Sequence, residues 1–328
     1  MSNFLIFLEK LKESKNFEDK YFKILKELFL EYKNESKISE NEIDELFITL
    51  TKLMIDQIKN PFKFDDYHKK IESPFNYYEF GKNFIRPLID KNSQIYGIEN
   101  LEKIQNYIDQ NENVILLSNH QSECDPEAIF ILLEEKFNKL QKNIIFVAGE
   151  RVISDPLAVP FSKGVDLLCI YSKRYLDIDL EKKHEKQLHN KRVMTKMSSL
   201  LSEGGKIIYV APSGGRDRIE NGNISIADFD PQSIEMIYLM AKKSKIKTHF
   251  ILLTLFTYYL LPPPESIQIE IGEKRSVKKS KIFLSFSDEI DMENFPEKSN
   301  DRIENRVKRA KYLHGIVKNE FLNKTKRV

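Results

Sequence analysis

A chain of 328 residues has room for two or three domains, and its 41% hydrophobic content supports a sizeable core. With 52 Lys and Arg against 50 Asp and Glu, the net charge of +2 excludes a dedicated nucleic-acid binder, which carries a one-sided basic excess; any basic site here is local. Two cysteines, Cys124 and Cys169, exclude a disulfide framework or a Cys-rich zinc centre.

Residues 1 to about 92 read as mostly helical. Phe22, Leu25, Leu28, Phe29 and Tyr32 recur at helical spacing. Ser39 followed by Glu42 is a capping box, with Ile38 and Ile43 as its hydrophobic staple. Ile43, Leu46, Phe47, Leu50, Leu53, Met54 and Ile58 then mark one face of a long helix, which Asn60-Pro61 ends. An aromatic-rich segment around Tyr67–Ile89 is interrupted by Pro74. The expectation is a small helical bundle whose apolar stripes are core, with docking of a protein partner as the alternative.

From about Tyr96 short β-rich runs alternate with helical stretches. The strands expected are Val114–Ser118, Ile144–Ala148, Leu167–Tyr171, Lys206–Ala211, His249–Thr254, Ile267–Ile271 and Ile282–Phe286. Helices are expected near Leu101–Asp109, Pro126–Leu140, Glu185–Ser202, Gln232–Lys243 and Asp301–Leu322. This alternation predicts an α/β domain over residues 93–328 with a mostly parallel sheet, mixed at one edge where the last strands follow each other directly. The longest apolar stretch, Phe250–Leu261, is broken by Thr254, Thr257 and two tyrosines and met by Pro262–Pro264. A bilayer span requires ~20 apolar residues. The N-terminus, MSNFLIFLEKLKESK, has no basic segment ahead of its apolar run and carries Glu9 and Glu13, unlike a secretory signal or transit peptide. The expectation is a soluble, reducing compartment, with room for peripheral membrane contact.

Ligand sites in doubly wound sheets lie beyond the carboxyl ends of strands, and three such ends carry unusual residues. The first is Asn119-His120-Gln121-Ser122-Glu123-Cys124-Asp125-Pro126. A histidine with an acid five residues on suits general-base catalysis, the carboxylate fixing the tautomer. With no Ser or Cys nucleophile signature beside it, the substrate would supply the nucleophile. The same residues also fit a turn histidine, with Asp125 as helix N-cap and Pro126 at N1. The second end carries adjacent cations in Ser172-Lys173-Arg174-Tyr175, which alone usually mark a solvated surface and gain functional weight from their place at a strand end. The third is Ala211-Pro212-Ser213-Gly214-Gly215-Arg216-Asp217-Arg218, where paired glycines permit close backbone approach and two arginine forks suit phosphate; a Gly-Gly turn with solvated arginines is the plain alternative. GxxxxGK[ST] and GxGxxG are absent, which disfavours nucleotides. His184 and His189 form no dense ligand set, so no metal or other cofactor is expected. Together the three ends fit a phosphate-bearing alcohol held by arginines and deprotonated by histidine to attack an activated carbonyl.

These residues resemble the soluble, chloroplast-type glycerol-3-phosphate 1-acyltransferases. The resemblance rests on NHQSECDP at Asn119–Pro126, FVAGERVISDPLAVPFSKG at Phe146–Gly164, APSGGRDR at Ala211–Arg218, LPPP at Leu261–Pro264 and IEIGEKR at Ile269–Arg275. It covers about residues 96–280, and the helical N-terminus only in style. It implies a small N-terminal bundle before a larger mixed-sheet domain, and transfer of an acyl group from acyl-carrier protein or coenzyme A to the sn-1 hydroxyl of glycerol 3-phosphate. His120 would be the base, Asp125 its partner, and Arg216 and Arg218 the phosphate ligands. The family carries a Lys-His pair where this chain has Arg174 and Tyr175; arginine keeps the charge and a tyrosine hydroxyl can donate a hydrogen bond. A cytoplasmic or stroma-like location follows, and an acidic carrier protein would need a basic patch, for which Lys163, Lys173, Arg174, Lys191 and Arg192 are candidates. The alternatives are sn-2 acylation of lysophosphatidate and a non-enzymatic carrier-protein-binding role.

Overall fold

A computed structural model describes residues 2–14, 17–171, 181–264 and 273–326. Three helices open the chain: α1 (Asn3–Glu13), α2 (Asp19–Ser36) and α3 (Glu40–Lys59). α1, within the stretch expected to be mostly helical, starts where the Ser2 hydroxyl accepts the Leu5 N–H. At α3 both halves of the capping box form: the Ser39 hydroxyl accepts the Glu42 N–H while the Glu42 carboxylate accepts the Ser39 N–H. The buried faces meet in an aromatic cluster of Phe4, Phe29, Tyr32, Phe47 and Phe84, with ring centroids 4.7 to 5.4 Å apart in tilted and edge-on pairs. Phe84 belongs to α4 (Tyr77–Ile85), and the Tyr32 hydroxyl donates to its carbonyl at 2.7 Å. Ile58, in the last turn of α3, is 42% exposed rather than part of the stripe.

The helices are coupled to the rest of the chain by a row of acids on α2. Glu27 pairs with Lys274, Glu31 accepts the Ser276 hydroxyl and the Val277 N–H, and Glu35 accepts the Lys279 N–H.

The sheet has eight strands: β1 (Tyr67–His68), β2 (Gln94–Tyr96), β3 (Asn113–Ser118), β4 (Ile144–Gly149), β5 (Asp166–Ile170), β6 (Ile207–Val210), β9 (Thr248–Phe256) and β10 (Phe283–Glu289), in the order β1-β5-β4-β6-β3-β9-β10-β2. The five central strands from β5 to β9 are parallel. A separate hairpin pairs β7 (Arg218–Glu220) with β8 (Asn223–Ser225). The sheet is mixed at both edges rather than one: β10 runs antiparallel to β9, and β1 antiparallel to β5. The strand expected at Ile267–Ile271 lies outside the described residues.

Side chains alternate across the sheet, so the parallel strands are apolar on both faces. Ile115 and Leu117 of β3 face α10 (Lys183–Glu203), α11 (Pro231–Lys243) and α12 (Arg302–Thr325) through Met197, Ile234 and Leu313. Val114 and Leu116 face α5 (Ile98–Asp109), α6 (Asp125–Leu133) and α7 (Asn138–Lys142) through Ile104, Ile129 and Leu140, and the short helices α8 (Glu150–Ser154) and α9 (Val159–Ser162) follow β4. The helix expected over Pro126–Leu140 is thus two, broken after Leu133 where Glu134 turns to Lys82 at 2.6 Å and to Arg86 at 2.5 Å. On α12 the buried stripe begins only at Arg309, leaving Ile303 and Val307 exposed. The core of the N-terminal helices runs on through Ala128, Cys124 and Leu261, directly beneath the loop that follows β3.

Candidate active site

Because β4, β6, β3 and β9 are neighbours and parallel, the loops after them emerge together beyond one end of the sheet. The loop after β3 is held from both sides. Asn119 continues the ladder with its side chain: Oδ1 accepts the Leu255 N–H at 2.8 Å and Nδ2 donates to the Leu255 carbonyl at 3.1 Å. From the β6 side, the Tyr209 hydroxyl donates to the Asn119 carbonyl at 3.0 Å and the Asp217 N–H to the His120 carbonyl at 2.6 Å. Gln121 accepts the N–H groups of Thr257 and Tyr258, so the three loops are cross-linked.

On this platform His120 Nδ1 lies 2.8 Å from Asp125 Oδ2. A carboxylate can only accept, so Nδ1 carries the proton and Nε2 the lone pair. The imidazole is 31% exposed and the Asp125 side chain 2%, so the ring is open to solvent while the carboxylate beside it is hidden. Asp125 is the first residue of α6 rather than its N-cap, and its carboxylate looks back into the loop. It accepts the N–H of Gln121 at 3.0 Å, the N–H of Ser122 at 3.1 Å and the Thr257 hydroxyl at 2.5 Å. With those bonds made, Asp125 has one orientation. Replacing Thr257 by valine keeps the shape and removes one donor from a buried anion. The expected loss is about 1–3 kcal/mol of stability, read from chemical denaturation.

Asp217 lies behind the dyad. Burial pushes its carboxyl up to about 6, against the bonds it accepts from Asn119, Ala227 and Gln121.

Arg216 and Arg218 leave the loop after β6, where Gly214 takes a φ of 63° that favours glycine. Arg216 reaches the His120 loop: Nη1 makes a long contact of 3.5 Å to Glu123, and Nη2 donates to Glu273 at 2.6 Å. Arg218 begins β7 and donates to the Pro264 carbonyl, at the end of the triple proline. Arg174 and Tyr175 lie outside the described residues, as does Lys173. Lys163 is buried, its ammonium 5.0 Å from the Phe62 ring centre and 5.2 Å from that of Tyr77, which removes it from any surface patch.

A buried ionic network surrounds Arg216, and the sequence reading assigned it no role. Arg275 donates from Nε to Glu123 and from Nη2 to Asp155, each at 3.0 Å, and Arg151 donates to Glu273 at 3.0 Å. Burial alone would raise the Glu123 carboxyl; Arg275 and then Arg216 outweigh it and hold it at about 2. Arg151, Asp155, Glu273 and Arg275 all stand inside sequence blocks quoted above, so the signal was the block and not the residue. Thr257 carried no signal. Among the described residues no group of His, Cys, Asp and Glu is placed to hold a metal ion, and no helix is long and apolar enough to cross a membrane.

Residues 93–252, which include the loops after β3 and β6, match the family model Acyltransferase. The chain is 38% identical over 278 residues to a chloroplastic glycerol-3-phosphate acyltransferase of Cucurbita moschata, covering 82% of this chain and 62% of that one. It is 38% identical over 275 residues to the chloroplastic glycerol-3-phosphate acyltransferase of Arabidopsis thaliana (81% and 60%) and 39% over 254 residues to that of Spinacia oleracea (75% and 54%). The chain is a homologue of these chloroplastic glycerol-3-phosphate acyltransferases, and it spans about three fifths of the length of the first of them.

Proposed function

We propose that the chain is itself a glycerol-3-phosphate acyltransferase. It would move a fatty acyl group from a carrier-protein or coenzyme A thioester to the sn-1 hydroxyl of glycerol 3-phosphate and yield lysophosphatidate. The observation that carries this reading is the meeting of an oriented His–Asp pair and an arginine loop beyond one end of the sheet. In this reading Nε2 of His120 takes the hydroxyl proton as the oxygen attacks the thioester carbonyl. The C–O bond forms, the C–S bond breaks, and the departing thiolate receives that proton. Asp125 stabilises the imidazolium between the two transfers. No thiol of the protein takes part: both cysteines are buried, and burial pushes the Cys124 thiol well above its ordinary range.

Arg216 and Arg218 bind the phosphate, joined by Arg174 and Tyr175. The reaction runs in a soluble compartment and hands an amphiphilic product to a membrane surface. An acidic carrier protein docks on Lys173, Arg174 and the exposed Lys191 and Arg192 of α10.

Release of free thiol from an acyl thioester, dependent on glycerol 3-phosphate, tests the reading. Acylation of lysophosphatidate instead would make the enzyme an sn-2 acyltransferase, and tight carrier-protein binding with no turnover would make it a binding protein. Arg216→Lys and Arg218→Lys are each expected to raise the glycerol 3-phosphate KM about tenfold, since lysine cannot present two parallel N–H groups to a phosphate. An unchanged KM in both would remove them from the phosphate site.

A further inference from the structure

Arg216 does not stand alone as a cation reaching for an anion. Its guanidinium is 10% exposed, and Glu273, which grips Nη2 at 2.6 Å, is 4% exposed. The second oxygen of the same carboxylate holds Arg151 at 3.0 Å. One carboxylate thus bridges two guanidinium groups, one from the short helix Glu150–Ser154 that follows β4 and one from the loop after β6, 65 residues apart in the chain. By charge alone this is the wrong residue for a phosphate site, because a buried carboxylate beside the arginine repels an incoming dianion. Its geometry has the opposite effect. A guanidinium presents five N–H donors in a rigid plane, and fixing two of them against Glu273 and Glu123 fixes the direction of the other three.

We propose that Glu273 is a positioning residue for the phosphate of the acceptor: it holds the Arg216 fork in the orientation that the phosphate uses, and the site gives up electrostatic attraction for alignment. The inference rests on the proposed acyl transfer for the identity of the ligand, and it adds that a residue outside both the His120 and the Arg216 loops sets acceptor affinity.

The two accounts of Glu273 predict opposite signs. In Glu273→Gln the shape is kept, the charge is lost, and one of the two acceptor oxygens becomes a donor facing a guanidinium. If Glu273 aligns Arg216, titration calorimetry with sn-glycerol 3-phosphate alone, without acyl donor, gives a Kd raised about tenfold or more over wild type. In turnover, KM rises by a similar factor while kcat at saturating acceptor stays within about threefold. Glu273→Asp, which retains the charge but is one methylene shorter, falls between the two. A Kd that is unchanged or lower in Glu273→Gln overturns the proposal, as does a loss confined to kcat. Calorimetry keeps this apart from the acyl-transfer reading: wild type that binds glycerol 3-phosphate but releases no thiol sinks the reaction and leaves the alignment standing or falling on the Kd comparison. Wild type that does not bind the ligand at all overturns both. If the glutamine variant does not fold, Glu273→Asp decides, with a raised Kd supporting alignment and an unchanged one rejecting it.

Discussion

Replacing His120 by alanine is expected to lower kcat by about 100-fold or more while leaving the fold intact, the scale of loss when a positioned general base is removed. The effect should sit in kcat because the surroundings do not depend on the ring. Asp125 keeps the N–H groups of Gln121 and Ser122 and the hydroxyl of Thr257, and the loop keeps its bonds to β6 and β9 through Asn119 and Tyr209. The Arg216 cluster is untouched, so the acceptor KM should change little. Initial rates of thiol release together with the thermal midpoint measure this. A variant that keeps most of its rate would mean that some other group takes the proton.

A second large effect is expected at Arg275, in stability rather than rate alone. Its guanidinium, 5% exposed, is shared between Glu123 and Asp155 and also donates to the Glu273 carbonyl. Arg275→Met takes a shared buried guanidinium from two carboxylates, and breaking a buried pair in this way costs about 3–5 kcal/mol. The loss should depend on pH in a defined direction. Glu123 is held at about 2, below its ordinary 4.5, so in the native protein its contribution is full above pH 4.5 and fades as the pH falls from there towards 2. The variant lacks the share of that contribution that comes from Arg275 and keeps only the share from Arg216. The gap between the two proteins is therefore widest near neutrality and narrows in acid. Urea denaturation at pH 7 and pH 3 measures both values, and a gap that does not narrow in acid would mean that Glu123 is not what Arg275 supports.

The features legible in the sequence share one property: their signal is local. The capping box at Ser39 and Glu42 spans four residues, and the central strands announce themselves as short apolar runs between turns. His120 and Asp125 were legible for the same reason, being five apart with an apolar strand on one side and a helix on the other. The ionic network was not. Arg275 reaches Glu123 across 152 residues and Asp155 across 120, and Arg151 reaches Glu273 across 122, so each residue looks like an ordinary surface charge until the sheet folds. The edge strands β1 and β2, two and three residues long, are too short to show a period. The hairpin of β7 and β8 is different: Asn221-Gly222, both at positive φ, is a strong local turn signal between the two strands, and there the sequence did contain the answer.

The acids of α2 have a consequence for how finely the site can be set. Four residues of helix advance ~6 Å, so Glu27, Glu31 and Glu35 form a graduated stripe with that interval. The segment from Lys274 to Lys279 lies along it and is read at Lys274, Val277 and Lys279. A slip by one residue of extended chain is ~3.3 Å, which falls midway between graduations and leaves the N–H groups facing no acceptor. The segment therefore has discrete settings instead of a continuous range, like a bolt in a notched rail. Arg275, carried between two of those notches, inherits its position from a helix at the far end of the chain.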